Sequence, residues 1–396
     1  MKKLYLIIFF LSLFHLGNAQ GIQLSEKAEI SILTIGAGDN LNDSFGHSGF
    51  RIKDTNLNID IVFNYGTYNF NTPNFYLKFA RGKLLYKIDS NNFKPFYNYY
   101  VKQNRSIIEQ QLNLTKSEKQ ELFNYLLNNS KPENQEYLYD FLFDNCATRI
   151  RDVLVTILGD KLNYKEEPLD EKSYTFRELI QKNVYWNSWG SFGMDIAIGA
   201  VVDQKATVWQ YQFLPHYVME AANNTSVTNE GVTEKLVKST SPIYEEKPYQ
   251  LKSIFFTSPL FVMGLLGLLI LYITYNDFKN NKRSRYLDAF IFLITGLIGI
   301  FLLLLWMATD HSTTKNNYDL LWAFPFSLLF IASILKKNPP LWLGKYIFFL
   351  LLMLVLLCVH WLTGVQEFAL ALTPLLVALF IRYIFLIRYF KRISKS

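Results

Sequence analysis

Two side chains in the first 250 residues suit nucleophilic chemistry. Cys146, in the stretch FDNCATRIRD, is one of only two cysteines in the chain, and the other, Cys358, lies in a strongly apolar tract. A lone thiol cannot form a disulfide within its own domain, and a nucleophilic cysteine needs a base to accept its proton. After the first 20 residues, this part of the chain offers His47 and His216 for that role.

His47 is the better candidate for the base. It follows Gly46 in DSFGHSGFRI at the start of a predicted strand, and a glycine there lets another backbone or a substrate approach closely. His216, in FLPHYVMEAA, has no comparable surroundings. We therefore predict that Cys146 and His47 form a catalytic pair. The alternative is an unreactive buried thiol and a strand-end histidine that is bonded to the backbone.

A helix is predicted to begin at Cys146. Asn145 is a suitable N-cap, CATRIRDVLVTIL has helical spacing, and Gly159 is a suitable stop. Cys146 would then lie in the first turn, where free N–H groups and the helix dipole favour a thiolate. The sequence therefore predicts a lowered pKa for this thiol.

A third group should orient the imidazole of His47. The stretches HSGFRIKD and IDIVFNYGTYNF predict a hairpin around the turn DTNLN, which brings the start of the first strand close to the end of the second. The predicted register pairs position 47 with about position 65, so Asn64 or Tyr65 fits it better, whereas Asp60 is the stronger acceptor. The sequence leaves the choice open. Further candidates for the oxyanion hole or the pocket are Ser44, Ser48 and Asn145.

Other kinds of site are not indicated. No cluster of His, Cys, Asp and Glu has the spacing of metal ligands, and GAGDN is too short a match for a dinucleotide site. The net charge of +7 comes largely from short loops between apolar tracts, which does not suggest nucleic-acid binding. We therefore expect no metal, no cofactor and no nucleic-acid partner.

The composition divides the chain into segments. The N-terminus is typical of a secretory signal peptide. It has two lysines, then an apolar run, then small residues before a cleavage position after Ala19. The next segment is mixed polar and apolar and long enough for one domain with a core. The predicted segments are a signal peptide (1–19), an extracytoplasmic catalytic domain (20–224), a linker with little structure of its own (225–253), a five-helix membrane domain (254–390) and a cytoplasmic tail (391–396).

Five apolar tracts predict membrane spans. They run approximately over residues 254–274, 287–308, 320–335, 346–362 and 368–386. The loops after the first and third spans and the C-terminal tail hold most of the lysines and arginines, so the positive-inside rule places them in the cytoplasm and the N-terminal domain in the periplasm. This topology describes a multi-pass protein of the inner membrane. We expect spans without intramembrane acids or broken helices, which excludes a transporter.

The order of the motifs resembles that of the Lnb-type lipoprotein N-acyltransferases of Bacteroidetes. The matching stretches are FGHSGFRI, IVFNYGTYNF, FYLKFARGK, FDNCATRIRD, TFRELI and FLP, followed by five spans with the outer loop TDHSTTKNNYDLLWAFP. The resemblance implies an α+β extracytoplasmic domain with a circularly permuted papain-like (NlpC-like) fold, in which the histidine precedes the cysteine. It also implies an all-α five-helix membrane domain.

The resemblance implies acyl transfer through a thioester on Cys146 to the N-terminal amine of a lipoprotein. The donor would be a diacylated lipoprotein, through its own sn-2 ester, or a phospholipid, and the bilayer would be the other partner. The alternatives are a membrane-anchored cysteine hydrolase of the envelope and a non-catalytic envelope scaffold. Candidate substrate-binding residues are Ser44, Ser48, Tyr65, Arg81, Arg149, His311 and Asn317.

Overall fold

The computed structural model describes residues 21–165, 172–248 and 255–394. In these ranges the chain forms an N-terminal domain of sheet and helices and a helical C-terminal domain. The predicted signal peptide lies outside the described residues. So do the end of the predicted linker, the first residue of the first predicted span and the last two residues of the tail.

The N-terminal domain is organised around a seven-stranded antiparallel sheet. The strands of the domain are β1 Glu29–Ile35, β2 His47–Asp54, β3 Ile59–Thr67, β4 Leu85–Asn92, β5 Ile107–Leu112, β6 Glu136–Leu138, β7 Leu162–Asn163, β8 Ser226–Asn229, β9 Val232–Lys235 and β10 Val237–Tyr244. The large sheet has the order β10-β5-β1-β2-β3-β4-β6, and β7, β8 and β9 form a small second sheet. The predicted hairpin is confirmed, because β2 and β3 pair on either side of the DTNLN turn.

Helices cover both faces of the large sheet. The described helices of the N-terminal domain are α1 Phe75–Ala80, α2 Phe93–Lys102, α3 Lys116–Asn129, α4 Cys146–Leu158, α5 Phe176–Gln181, α6 Trp189–Ala197, α7 Val208–Tyr211 and α8 Pro215–Asn224. Apolar side chains of α3, α4 and α8 pack on one face, around Phe50 and Phe63. Those of α2 pack on the other face, around Leu33 and Val62. The helix predicted to begin at Cys146 is therefore held directly against the strands that carry the other candidate residues.

The segment predicted as a linker is largely structured. Residues 226–244 form three strands, and β10 extends the large sheet by pairing with β5, with Thr240 opposite Gln110. Most side chains of β10 are exposed. An edge strand of this kind is held by backbone hydrogen bonds and needs no apolar alternation, which is why the sequence pattern did not reveal it.

The C-terminal domain has four helices that are long and apolar enough to cross a membrane. Its helices are α9 Pro259–Lys279, α10 Arg285–Met307, the single turn α11 Ile331–Ile334, α12 Leu343–Leu362 and α13 Thr373–Ile393. The third predicted span is instead a bent pair, Ser312–Leu321 and Pro325–Ile334, with 45° between its parts. Pro325 lacks the N–H that a continuous helix would use there. The described residues thus contain four candidate spans, or five if the bent pair counts as one, and the expectation of unbroken spans is wrong.

The spans also contain charged side chains, contrary to expectation. The guanidinium of Arg382 in α13 lies 2.7 Å from the carboxylate of Asp277 in α9 and 2.7 Å from that of Asp288 in α10. All three residues are buried. The charges face each other inside the bundle, as membrane charges generally do, and they join three helices. The prediction that the protein is not a transporter assumed uncharged and unbroken spans. The structure removes both grounds for that prediction.

We expect Arg382→Met to destabilise the helical domain. The substitution removes the guanidinium that contacts both buried carboxylates and leaves only Arg283, 3.7 Å from Asp288, as a nearby cation. Removal of one partner of a buried pair costs roughly 3–5 kcal/mol. Arg388 is exposed on the same helix, so Arg388→Met is the matched control. The midpoint of thermal unfolding, measured on the full chain in one detergent, should fall for Arg382→Met alone. Equal midpoints for the two variants would refute a stabilising role for the buried ion cluster.

Candidate active site

Asn145 places Cys146 at the first position of α4. Its Oδ1 accepts hydrogen bonds from the N–H groups of Ala147 (2.8 Å) and Thr148 (3.0 Å). Its Nδ2 donates to the carbonyl oxygens of Phe141 (2.6 Å) and Phe213 (2.9 Å). The predicted N-cap is confirmed. A contribution of Asn145 to an oxyanion hole does not fit this geometry, because the cap and the two neighbouring loops already use its amide.

A glycine bulge in β3 lies beside the thiol. Gly66 has φ +89°, and a Cβ placed on it would lie 3.6 Å from Cβ of Cys146. The backbone N–H of Ser48 acts on the Cys146 thiol and favours a lower pKa, so it lies close to the sulfur. Ser48 follows His47 in β2, so the thiol lies beside the strand that carries the predicted base.

Asn64 is the partner of the His47 imidazole. Nε2 of His47 lies 3.2 Å from Oδ1 of Asn64, and Nδ2 of Asn64 is 3.4 Å from the carbonyl oxygen of Asp89. The second contact fixes the amide so that its oxygen faces the imidazole. An amide oxygen can only accept, so Nε2 carries the proton and Nδ1 keeps a lone pair. In this tautomer Nδ1 is the nitrogen that can accept a proton.

Asp60, the other residue left open by the sequence, lies elsewhere. Its carboxylate accepts two hydrogen bonds of 2.8 Å from Arg51. Asp60 precedes Asn64 by four positions in β3, or about 13 Å along a strand. Gly49 is paired with Asn64, which differs by one residue from the predicted register. The structure therefore brings Asn64 to His47 and Asp60 to Arg51.

Burial outweighs the helix start in setting the charge of Cys146. Burial raises the pKa of this thiol to about 11, although the N–H groups of Ser48, Ala147 and Cys146 itself act in the opposite direction. Burial also lowers the pKa of His47 to about 4, against a contribution from the Asn64 hydrogen bond. The predicted lowering of the Cys146 pKa is wrong. At neutral pH the pair is a thiol and a neutral imidazole, so the proton must move when the sulfur attacks.

This charge state predicts the pH dependence of alkylation at Cys146. In a Cys358→Ala background, the rate of reaction with iodoacetamide should keep rising from about pH 6 to about pH 10, because only the thiolate reacts. The rise continues because the pKa of about 11 lies above this range. The rates are obtained by quenching the alkylation at successive times and measuring the modified fraction by mass spectrometry. A rate that is constant across this range would reveal a resting thiolate instead.

Two of three predicted pocket residues, Ser44 and Tyr65, form hydrogen bonds away from the thiol. The Ser44 hydroxyl donates to the carbonyl oxygen of Asn40 (3.0 Å), and the Tyr65 hydroxyl donates to Oδ1 of Asn129 (2.7 Å). The Ser48 side chain is fully buried, and its hydroxyl has no hydrogen-bond partner among the described residues. Of the three, the structure brings only Ser48 to the thiol, through its backbone.

Arg149 is engaged in an ion pair rather than free. It lies one turn into α4, and Nη2 is 2.6 Å from the carboxylate of Asp144. Its guanidinium also lies over the ring of Tyr137, 4.2 Å from the centroid. Arg149 thus fastens α4 to the preceding loop and to β6, which leaves its guanidinium poorly placed to bind a substrate.

The remaining predicted residues lie where the two domains meet. The carbonyl oxygen of Arg81 accepts the N–H of Asp310 (2.9 Å), while the Arg81 side chain is exposed. Nε2 of His311 lies 3.2 Å from the carbonyl oxygen of Phe79. Asn317 is fully buried and donates to the carbonyl oxygens of Ile196 and Ala197. Asn317 therefore holds α6 against the helical domain and does not face a ligand.

Two residues near the thiol escaped the sequence analysis. The Tyr137 hydroxyl is buried, has no hydrogen-bond partner in the described ranges, and lies 4.0 Å from the Cβ position of Gly66. Burial raises the pKa of Tyr137, so its hydroxyl remains a donor. Arg105 is buried beside Asp43, and its charge acts on both Cys146 and His47. No local pattern marks either residue, because the folded sheet alone brings them to the thiol.

Known family models match both domains. A model described as the Lnb N-terminal periplasmic domain matches residues 21–182, and one described as the Lnb transmembrane domain matches residues 250–393. No curated protein and no solved structure matches the chain. In the part of the chain that the structure describes, no group of three or more His, Cys, Asp or Glu could hold a metal ion. The Cys146–His47–Asn64 site lies entirely within the first of the two matched ranges.

Proposed function

Because the chain belongs to the Lnb family, a family of membrane proteins with a periplasmic domain, we propose that it is a cysteine-dependent lipoprotein N-acyltransferase of the inner membrane. It moves a fatty acyl chain through a thioester on Cys146 to the N-terminal amine of a bacterial lipoprotein. The observation that carries the proposal is Cys146 at a helix start, beside the strand that bears His47, with Nε2 of His47 held by Asn64.

The first half-reaction forms the acyl-enzyme. Nδ1 of His47 accepts the proton of Cys146 as the sulfur attacks the carbonyl carbon of an ester. When the carbon–oxygen bond breaks, the leaving alkoxide takes that proton from His47. A thioester on Cys146 and a lysolipid alcohol result. Since both groups start uncharged, no resting ion pair has to form in the buried site.

The second half-reaction returns the enzyme to its starting state. The free amine of the lipoprotein's N-terminal cysteine attacks the thioester, and His47 accepts a proton from the nitrogen. The carbon–sulfur bond breaks, and His47 returns that proton to Cys146. The acyl chain is then an amide, which is more stable than the thioester.

Each tetrahedral intermediate needs donors for its oxyanion. The unpaired Tyr137 hydroxyl and the backbone N–H of Cys146 lie near the thiol and take no part in the Asn145 cap. We assign the oxyanion contacts to them. Asn145 is left out because both ends of its amide are occupied.

The order of the site residues along the chain supports a permuted papain-like fold. The histidine and its asparagine come from β2 and β3, and the cysteine begins a later helix.

The basic loops and the C-terminus are placed in the cytoplasm by the positive-inside rule. The donor is the sn-2 ester of the lipoprotein itself, so that the product is a lyso-form.

Asn64 should matter for turnover, whereas Asp60 should not. We expect Asn64→Ala to lower kcat by up to about 10²-fold, the lower end of what a general base contributes, because the imidazole loses its fixed tautomer. KM should change little. Asp60→Asn breaks the Arg51 ion pair but should leave kcat as in the wild type. Assays of both variants on one lipopeptide decide the point, and a larger loss for Asp60→Asn would reverse the assignment.

Expression in a strain depleted of its own N-acyltransferase tests the function. The N-terminal peptide of a lipoprotein is fragmented in a mass spectrometer to locate each acyl chain. Transfer from the lipoprotein's own ester gives two chains, one on nitrogen, while a phospholipid donor gives three. Cys146→Ala is the inactive control. Absence of N-acylation with the wild type would exclude the acyltransferase and favour a hydrolase or a scaffold.

A further inference from the structure

Large apolar side chains are exposed on residues 68–79, a segment that includes α1. The exposed fractions are 66% for Phe70, 80% for Tyr76, 58% for Leu77 and 53% for Phe79. A clustered apolar patch of this kind on a protein surface usually marks a site that another apolar body covers. We call residues 68–79 the aromatic segment.

The aromatic segment lies at the outer end of a membrane span. The carbonyl oxygen of Phe79 is 3.2 Å from Nε2 of His311, and that of Arg81 accepts the N–H of Asp310. Asp310 comes three residues after the end of α10 at Met307. A six-residue helix is about 9 Å long, so the exposed side chains of α1 lie within about that distance of the span's end. Aromatic rings are enriched at this depth, where hydrocarbon meets headgroups.

A row of aromatic rings leads from this surface to the thiol. Ring centroids lie 5.7 Å apart for Phe75 and Tyr68, 5.2 Å for Tyr68 and Tyr86, and 4.4 Å for the stacked Tyr86 and Tyr139. The Tyr139 ring is 4.0 Å from the Cβ position of Gly66, and Cβ of Cys146 is 3.6 Å from the same position. The ring row thus joins an exposed apolar surface to the buried sulfur.

We propose that the aromatic segment is immersed in the outer leaflet of the bilayer, and that the ring row Phe75–Tyr68–Tyr86–Tyr139 guides a lipid acyl chain from that leaflet to Cys146. The immersion stands independently of the chemistry at Cys146. The guiding role rests on the proposed function. Since ring faces and acyl chains are both apolar, the row keeps the ester chain out of water on its way to the thiol.

Spin labels at two positions test the immersion without any activity assay. The full chain, in a Cys146→Ser and Cys358→Ser background and in phosphatidylethanolamine–phosphatidylglycerol nanodiscs, carries a nitroxide at Tyr76→Cys or at Leu57→Cys. Leu57 is also exposed but lies in the β2–β3 turn, nine residues from Gly66, or about 30 Å along a strand. At position 76, dissolved oxygen should relax the nitroxide more strongly than a water-soluble nickel chelate does. At position 57, the nickel chelate should relax it more strongly than oxygen does. Equal nickel accessibility at both positions would overturn the immersion.

Chain length tests the guiding role. We expect Tyr86→Ala to lower the rate with long-chain ester donors at least tenfold more than the rate with a short, water-soluble ester, which reaches the thiol without the ring row. Normal short-ester turnover also shows that the variant is folded. Equal effects on both donors, or none, would overturn the guiding role. If the wild type turns over neither donor, the proposed function fails, while the spin labels still decide the immersion.

Discussion

Cys146→Ala is expected to abolish acyl transfer, with a loss of about 10⁴-fold or more, as is usual when a catalytic nucleophile is removed. Without the sulfur, no thioester can form between the donor ester and the amine. The fold should persist, because the start of α4 is capped by Asn145 and does not depend on the thiol. Transfer to a lipopeptide amine, measured with the purified full chain, gives the rate.

Cys358→Ala is the matched control for this variant. Cys358, the other cysteine of the chain, is exposed on α12. Its removal should leave the rate unchanged. If Cys146→Ala retains wild-type transfer, or if Cys358→Ala loses it, Cys146 is not the nucleophile.

His47→Gln should lower the rate at neutral pH by about 10²- to 10⁴-fold, the range that a general base contributes. Glutamine keeps a polar group near Asn64 but cannot accept the thiol proton. The deficit should shrink as the pH rises toward the Cys146 pKa of about 11, because the thiol then ionises without help. A pH–rate profile of the variant and the wild type measures this convergence.

His216→Gln is the control for the base. The His216 side chain is 63% exposed and lies 3.0 Å from Glu220, so its loss should leave the rate unchanged. A deficit in His47→Gln that stays constant at all pH values would show that His47 has a role other than proton transfer.

Local sequence signals were sufficient for the elements of the site. The N-cap at Asn145, the helix start at Cys146 and the β2–β3 hairpin all follow from residue types within a few positions of one another. Such signals need no knowledge of the rest of the fold. They also placed His47 at the start of a strand, and the folded sheet brings that strand to the thiol.

Features that depend on the assembled fold were missed or mispredicted. The hairpin register differs by one residue from the predicted one, and burial reverses the expected pKa shift of Cys146. The unpaired hydroxyl of Tyr137 reaches the thiol only because β6 pairs with β4. Composition gave no sign of the backbone pairing of β10 or of the contact of Asn317 with α6.

The most direct test of the proposed chemistry is the mass of the peptide that contains Cys146 during turnover. The full chain in nanodiscs is given a diacylated lipopeptide whose amine is blocked, so that the second half-reaction cannot proceed, and is then digested at acidic pH. We expect one fatty acyl chain on Cys146, which neutral hydroxylamine removes as it does other thioesters. An unmodified Cys146 peptide, or an acyl chain found on another residue, would contradict transfer through a Cys146 thioester.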